Sequence, residues 1–181
     1  LMHSCAARSR ALSGFISRYA EVGKIPPARP VATSVERFVA RSAPFMQSIG
    51  AQAGVHVEVE TDSGFHEAAI DCSLLEQALV NIVKNAVESA ATLAQGKGRV
   101  TVNAGCDTRG NAVITVIDNG PGISPDKSRR IFTPFYTDKP QGQGIGLTFV
   151  RDVLSRHNAG FSLATDPADG LTRFTITLPR I

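Results

Sequence analysis

The sequence predicts an α+β fold, a two-layer α/β sandwich with a mixed, mostly antiparallel sheet, helices on one of its faces, and one further helix ahead of it. Short β-branched runs come in pairs, Arg99 to Asn103 with Ala112 to Ile117 and Phe161 to Thr165 with Thr172 to Leu178, each pair joined by a turn-rich stretch. Longer stretches between and before them place apolar residues at helical spacing. Strands and helices do not alternate one by one, which argues against a doubly wound parallel sheet.

In chain order, Leu12, Phe15, Ile16 and Tyr19 mark one apolar face of a first helix, which Pro26-Pro27 ends. Thr33-Ser34-Val35-Glu36 fits a capping box. It predicts a helix over about 34–52, which Pro44 should kink or shift and Gly54 should end. Val55, Val57 and Val59 then alternate with His56, Glu58 and Glu60, as in a strand solvated on one face, so His56 is expected at the surface. Ala68-Ala69-Ile70 reads as a short second strand, and His66, in the turn before it, receives no role.

Asp71 is placed to cap a helix over about 73–94. Its stripe of Leu75, Ala78, Leu79, Ile82, Val83, Ala86, Val87 and Ala90 must face a sheet. Asn81, Asn85 and Glu88 run along its edge at i, i+4 and i+7. Asparagine is a poor helix former, so two on one face suggest a ligand, although both could be simply solvated. Arg99 to Asn103 and Ala112 to Ile117 form a hairpin around Asp107 to Asn111. Ser124-Pro125 opens a short helix to about Arg130. A last helix spans about 144–157, with His157-Asn158-Ala159-Gly160 as its left-handed stop and His157 as a helix-terminal cation or cap. Two closing strands flank Asp169-Gly170.

Composition narrows the class. The chain has 181 residues, is 43% hydrophobic, contains no Trp and carries a formal charge of +3. Its basic residues are scattered rather than striped, so nucleic acid is not implied. Three cysteines without C-x-x-C spacing fit neither a disulfide framework nor a zinc site. No apolar run reaches the roughly 18 residues of a membrane span, and the start lacks the apolar core of a signal peptide. A cytoplasmic setting follows as an expectation, and the initial Leu1 suggests a piece of a longer protein.

The chemistry concentrates in Asp118-Asn119-Gly120-Pro121-Gly122 and Gly142-Gln143-Gly144-Ile145-Gly146-Leu147. Val113 to Ile117 reads as a buried strand, so Asp118 falls where the chain leaves the sheet, and its carboxylate can accept from an exocyclic amino group. Gly120 and Gly122 let backbone lie against a planar ring. The second cluster leaves bare N–H groups at a helix N-terminus, which attracts phosphate. Either piece alone could be an ordinary turn.

Together, and in this order, they resemble the N, G1, F and G2 boxes of the histidine-kinase ATP-binding domain, over roughly Val55 to Arg180. That superfamily also holds gyrase-type topoisomerases, mismatch-repair ATPases and the ninety-kilodalton heat-shock chaperone. The resemblance implies the Bergerat fold with ATP and Mg²⁺ as cofactors, Asn85 as metal ligand and Asn81 as its helper. It further implies nucleotide contacts from Asp118, Gly120, Gly122, Ile123, Phe135, Lys139, Gly142, Gly144, Ile145, Gly146 and Leu147. Phe132-Thr133-Pro134-Phe135 matches the F box, and Thr137 to Gln143 would be a lid over the phosphates in which Lys139 either reaches them or is merely solvated.

On this reading residues 1–25 are the second helix of the dimerisation hairpin, 26–32 a linker and 33–181 the catalytic domain. The chain would present the ATP γ-phosphoryl group to a histidine that it lacks, since His3 is followed by Ser4-Cys5 rather than by an acidic residue. No catalytic residue is expected within it. Partners would be the dimerisation and phosphoacceptor domain of the same kinase and a response regulator receiver domain, with no membrane contact by this part of a membrane-anchored sensor, and the Thr-Asp-Lys lid looks most like the nitrogen-regulation type. Two alternatives stand beside it: a hydrolytic ATPase of the same superfamily, which would carry Glu where Asn81 stands, and a non-catalytic nucleotide-sensing module.

Overall fold

The computed structural model describes residues 25–134, 136 and 144–181. The expected first helix therefore lies outside the described residues. β1 (Val31–Ser34) leads directly into α1 (Val35–Ala53), followed by β2 (His56–Thr61), β3 (Glu67–Ile70) and α2 (Cys72–Ala90). Then come β4 (Arg99–Cys106), β5 (Ala112–Asp118), α3 (Pro125–Arg130), α4 (Gly146–Arg156), β6 (Gly160–Thr165) and β7 (Thr172–Leu178).

Five strands form one sheet in the order β2-β4-β5-β7-β6. β2 runs parallel to β4 and every other pair is antiparallel. Alternation along the strands sorts the two faces. Val100, Val102 and Ala104 of β4, Ile114 and Val116 of β5, and Phe174, Ile176 and Leu178 of β7 are buried. They meet Phe38, Val39 and Met46 of α1, Leu75, Leu79 and Val83 of α2, and Val150, Val153 and Leu154 of α4 in one core. Full burial of such side chains stabilises by about 1.5–3 kcal/mol each. The α+β sandwich is as expected.

Three local expectations need correction and a fourth needs completing. The cap of α1 is Ser34, whose hydroxyl accepts from the Arg37 N–H, so Glu36 stands too early to close a capping box. α1 runs unbroken through Pro44. Proline removes the donor for the Ala40 carbonyl, but both residues are exposed, so water can satisfy that oxygen. Ala68–Ile70 is a strand as expected, but its partner is one the sequence reading did not include: β3 pairs antiparallel with β1, where only the approach to a helix cap was read. Finally, α2 stops at Ala90, short of the expected end near 94.

The 26–32 stretch is tied to the domain. Ile25 is buried, the Pro26 carbonyl accepts from Arg156, and the Arg29 N–H donates to Asp71. Close packing also fixes α1 on the sheet. A Cβ at Gly50 would run into the Val57 side chain and come within 2.6 Å of the Val55 carbonyl oxygen, so only glycine lets α1 lie this near β2.

Candidate nucleotide site

Asp118 is the last residue of the central strand β5, cross-strand from Val100 on one side and Thr172 on the other. It is buried. Its Oδ1 accepts two hydrogen bonds of 2.9 Å, one from the Gly120 N–H and one from the Ser89 hydroxyl. Burial, the largest influence, pushes the Asp118 carboxyl above its ordinary value, and the Gly120 and Ser89 bonds oppose it. Among the described residues no donor reaches Oδ2. The side chain thus keeps one carboxylate oxygen without a donor among the described residues, at the end of the central strand.

The glycines after it have distinct reasons. A Cβ at Gly120 would overlap the Ser89 hydroxyl and come within 2.7 Å of Asp118 Oδ1. Gly122 has φ of 84°, in the left-handed region that side chains resist. Ile123 follows, its N–H donating to Thr165 Oγ1 at 2.8 Å, and Thr165 in turn bonds the Thr172 hydroxyl at 3.0 Å. Asn119 is a staple: its amide accepts from the Arg99 N–H and donates to the Lys97 carbonyl, each at 2.8 Å.

α4 supplies the other end. Side chains cap α1, α2 and α3 through Ser34, Asp71 and Ser124, whereas α4 begins at Ile145 with no side-chain cap. Among the described residues no side chain accepts from its first N–H groups, an arrangement that suits an external acceptor. A Cβ built on Gly146 would stand 3.5 Å from Asn81 Oδ1, which brings the N-terminus of α4 beside the asparagine line of α2. Asn81 spends its Nδ2 on the Gln77 carbonyl at 3.0 Å, which leaves Oδ1 turned toward α4. Gly144 has φ of 64°, and Leu147 packs partly buried against the core.

The structure thus gathers Asn81, Asn85, Asp118, Gly120, Gly122, Ile123, Gly144, Ile145, Gly146 and Leu147 along one edge of α2, β5 and α4. Phe135, Lys139 and Gly142, with the proposed lid, lie outside the described residues. Phe132 of the F box packs against Phe161 and Phe174 at centroid distances of 4.9 and 6.0 Å, and its carbonyl accepts from Arg151.

Two residues escaped the sequence reading. The polar line on α2 continues from Asn85 to Ser89, half-buried at i+4, while Glu88 is exposed. Thr172 is buried beside Asp118. Spacing alone would not have singled out Ser89, because at 3.6 residues per turn i+8 lies about 80° round the helix from i whereas i+7 lies only about 20° away; its contact with Asp118 identifies it.

The family described as histidine kinase-, DNA gyrase B-, and HSP90-like ATPase matches residues 70–181, well over half of the chain. The chain belongs to that family. AtoS, a signal transduction histidine-protein kinase of Escherichia coli (strain K12), is 34% identical over 146 residues, which is 81% of this chain and 23% of AtoS. Nitrogen-regulation and C4-dicarboxylate-transport sensors also match, at 30% to 39% identity, so the nitrogen-regulation type is one of several. Among solved structures, the mycobacterial sensor histidine kinase MprB superposes with a TM-score of 0.68 at 28% identity, covering 84% of this chain and 97% of that one. Full-length ShkA in complex with AMPPNP shares the fold, with a TM-score of 0.75 at 23% identity over 94% of this chain and 35% of that one. Fold and relatives together make this a histidine-kinase ATP-binding catalytic domain, and it spans less than a quarter of AtoS.

Proposed function

We propose that this domain holds ATP with Mg²⁺ and presents the γ-phosphoryl group to a histidine on a dimerisation helix, from which a response regulator receiver domain takes it. The observation that carries the reading is the polar line on α2. Asn81, Asn85 and Ser89 span about 12 Å at 1.5 Å per residue, from the uncapped N-terminus of α4 to the free oxygen of Asp118. A base bound by Asp118 at one end would leave its triphosphate within reach of the α4 N–H groups at the other.

In this reading Asp118 Oδ2 accepts from the adenine amino group, and the bareness of Gly120 and Gly122 lets the ring lie close. The α4 N-terminus, with Gly144, Ile145, Gly146 and Leu147, faces the phosphates. The amide oxygens of Asn85 and Asn81 are hard donors suited to Mg²⁺, which would neutralise phosphate charge as the phosphoryl group moves. Asn85 is the proposed ligand and Asn81 its helper.

The described histidines are unsuited as phosphoacceptors. His56 is exposed on an edge strand, His66 is bound to Glu36, and His157 is buried with both ring nitrogens engaged. Hydrolysis is disfavoured because an amide at position 81 cannot take a proton from water. No helix among the described residues is long and apolar enough to cross a membrane, which is compatible with a cytoplasmic placement.

The test is incubation with radiolabelled ATP, alone and with the purified dimerisation hairpin of the same kinase. Acid-labile label should appear on the hairpin only, and slowly, since untethered partners lack the high effective concentration of a linked pair. Rapid labelling of the domain itself would overturn the reading. Fast phosphate release with no label would move it to the hydrolytic branch.

A further inference from the structure

Ser89 does something unusual for a helical serine. Such a hydroxyl commonly donates back to the carbonyl one turn earlier, whereas that of Ser89 donates across to Asp118 Oδ1 at 2.9 Å. A carboxylate torsion is broad and roughly two-fold, so an unheld aspartate would present either oxygen. Here two donors converge on one oxygen: the Gly120 N–H from the strand's own loop and the Ser89 hydroxyl from the facing helix.

We propose that Ser89 is a positioning residue for base recognition, holding Asp118 so that Oδ2 alone faces the ligand as an acceptor and a purine bearing a 6-amino group is preferred over one bearing a 6-oxo group or none. The inference rests on the nucleotide reading of the site and adds a determinant to it. Ser89 extends α2 from a metal and phosphate element into a base-reading one, so that a single helix face serves both ends of the ligand.

The mechanism is electrostatic and geometric. An Asp118 that takes up a proton on Oδ2 would show the base an O–H donor, which suits a 6-oxo purine and repels a 6-amino one. Burial favours that protonated form, and the Ser89 and Gly120 bonds resist it. The Gly120 N–H is fixed by backbone and cannot be removed by substitution. The Ser89 hydroxyl can, and alanine is a better helix former than serine, so Ser89→Ala should leave the helix intact.

The experiment compares the whole chain with Ser89→Ala by calorimetric titration against ATP, inosine triphosphate and purine riboside triphosphate, which lacks the 6-substituent. For Ser89→Ala, ATP binding should weaken roughly three- to tenfold, while the other two change less than about twofold. Unchanged ATP affinity, or an equal loss for all three nucleotides, would overturn the role of Ser89. A wild-type chain that fails to prefer ATP over purine riboside triphosphate would overturn the base-site reading itself, and the Ser89 role with it.

Discussion

The Nε2 atom of His157 lies 2.9 Å from the backbone nitrogen of Asp71, the residue that caps α2. A backbone N–H can only donate, so Nε2 accepts, and the proton of the neutral ring sits on Nδ1, which donates to the Val153 carbonyl at 2.7 Å. His157 is thus a buried neutral clamp between the end of α4 and the start of α2; of the two roles the sequence left open, cation or cap, it takes the cap. His157→Ala should orphan the Asp71 N–H and cost about 1–3 kcal/mol, readable as a lower midpoint in urea. Because both site helices are joined there, ATP affinity should fall too. Unaltered stability would show that the ring carries no such load.

Asp118→Asn separates stability from binding. Burial raises the Asp118 carboxyl above the ordinary 3.8, so the folded state holds this proton more tightly than the unfolded state. The stability it contributes is full below about 3.8 and is lost as pH rises through the higher folded value. At neutral pH the ionised side chain is therefore a burden, and the neutral amide should melt at the same temperature or slightly higher. ATP binding should nonetheless weaken about tenfold to a hundredfold, because an amide N–H would face the adenine amino group. Thermal scans with calorimetry check both halves, and tight ATP binding by this variant would remove Asp118 from the base site.

Glu36 makes the opposite prediction. Its buried carboxylate receives the His66 N–H at 3.0 and 3.2 Å, the His66 ring at 2.5 Å and the Ser34 hydroxyl at 3.0 Å. Burial alone would raise its pKa, but the His66 side chain and the other hydrogen bonds together hold it below 4.5. Its contribution is present above about 4.5 and is lost as pH falls through the lower folded value. Glu36→Ala should cost about 1–3 kcal/mol at neutral pH, and the cost should shrink in acid. Urea midpoints of both proteins at pH 7 and pH 3 measure this.

Asn85→Ala should act only through the metal. Titration with ATP in the presence of Mg²⁺ should lose most of its affinity gain over titration in chelator, while the chelator value stays within about twofold of wild type. Equal loss under both conditions would assign Asn85 to the nucleotide itself.

Much of this was legible because period and punctuation are local. Asp71 before an apolar stripe, Ser124-Pro125, and the turn at Asp107 to Asn111 each fix an element from neighbouring residues, and all are found. What was missed depends on partners far along the chain. β1 is a strand because β3 pairs with it, and Val31 faces Ile70 across 39 positions. His66 looked idle because its partner, Glu36, is 30 residues away and was read as a capping residue. Ser89 faces Asp118 from 29 residues off, and no helical pattern announces such a contact.

The two non-local pairings of the sheet, β2 with β4 and β5 with β7, set an order of assembly. Antiparallel β4-β5 and β6-β7 close through short turns, but β2 reaches β4 only after residues 62–98 have formed β3 and α2 and crossed over. Non-local pairing must meet its loop-closure cost before any contact rewards it. The longer closure is that of β7 onto β5, across residues 119–171, so the β6-β7 hairpin is the last part to dock on a growing chain. In that interval β5 presents a bare edge, and the interval, rather than the finished fold, is when the domain is most exposed to pairing with another copy of itself.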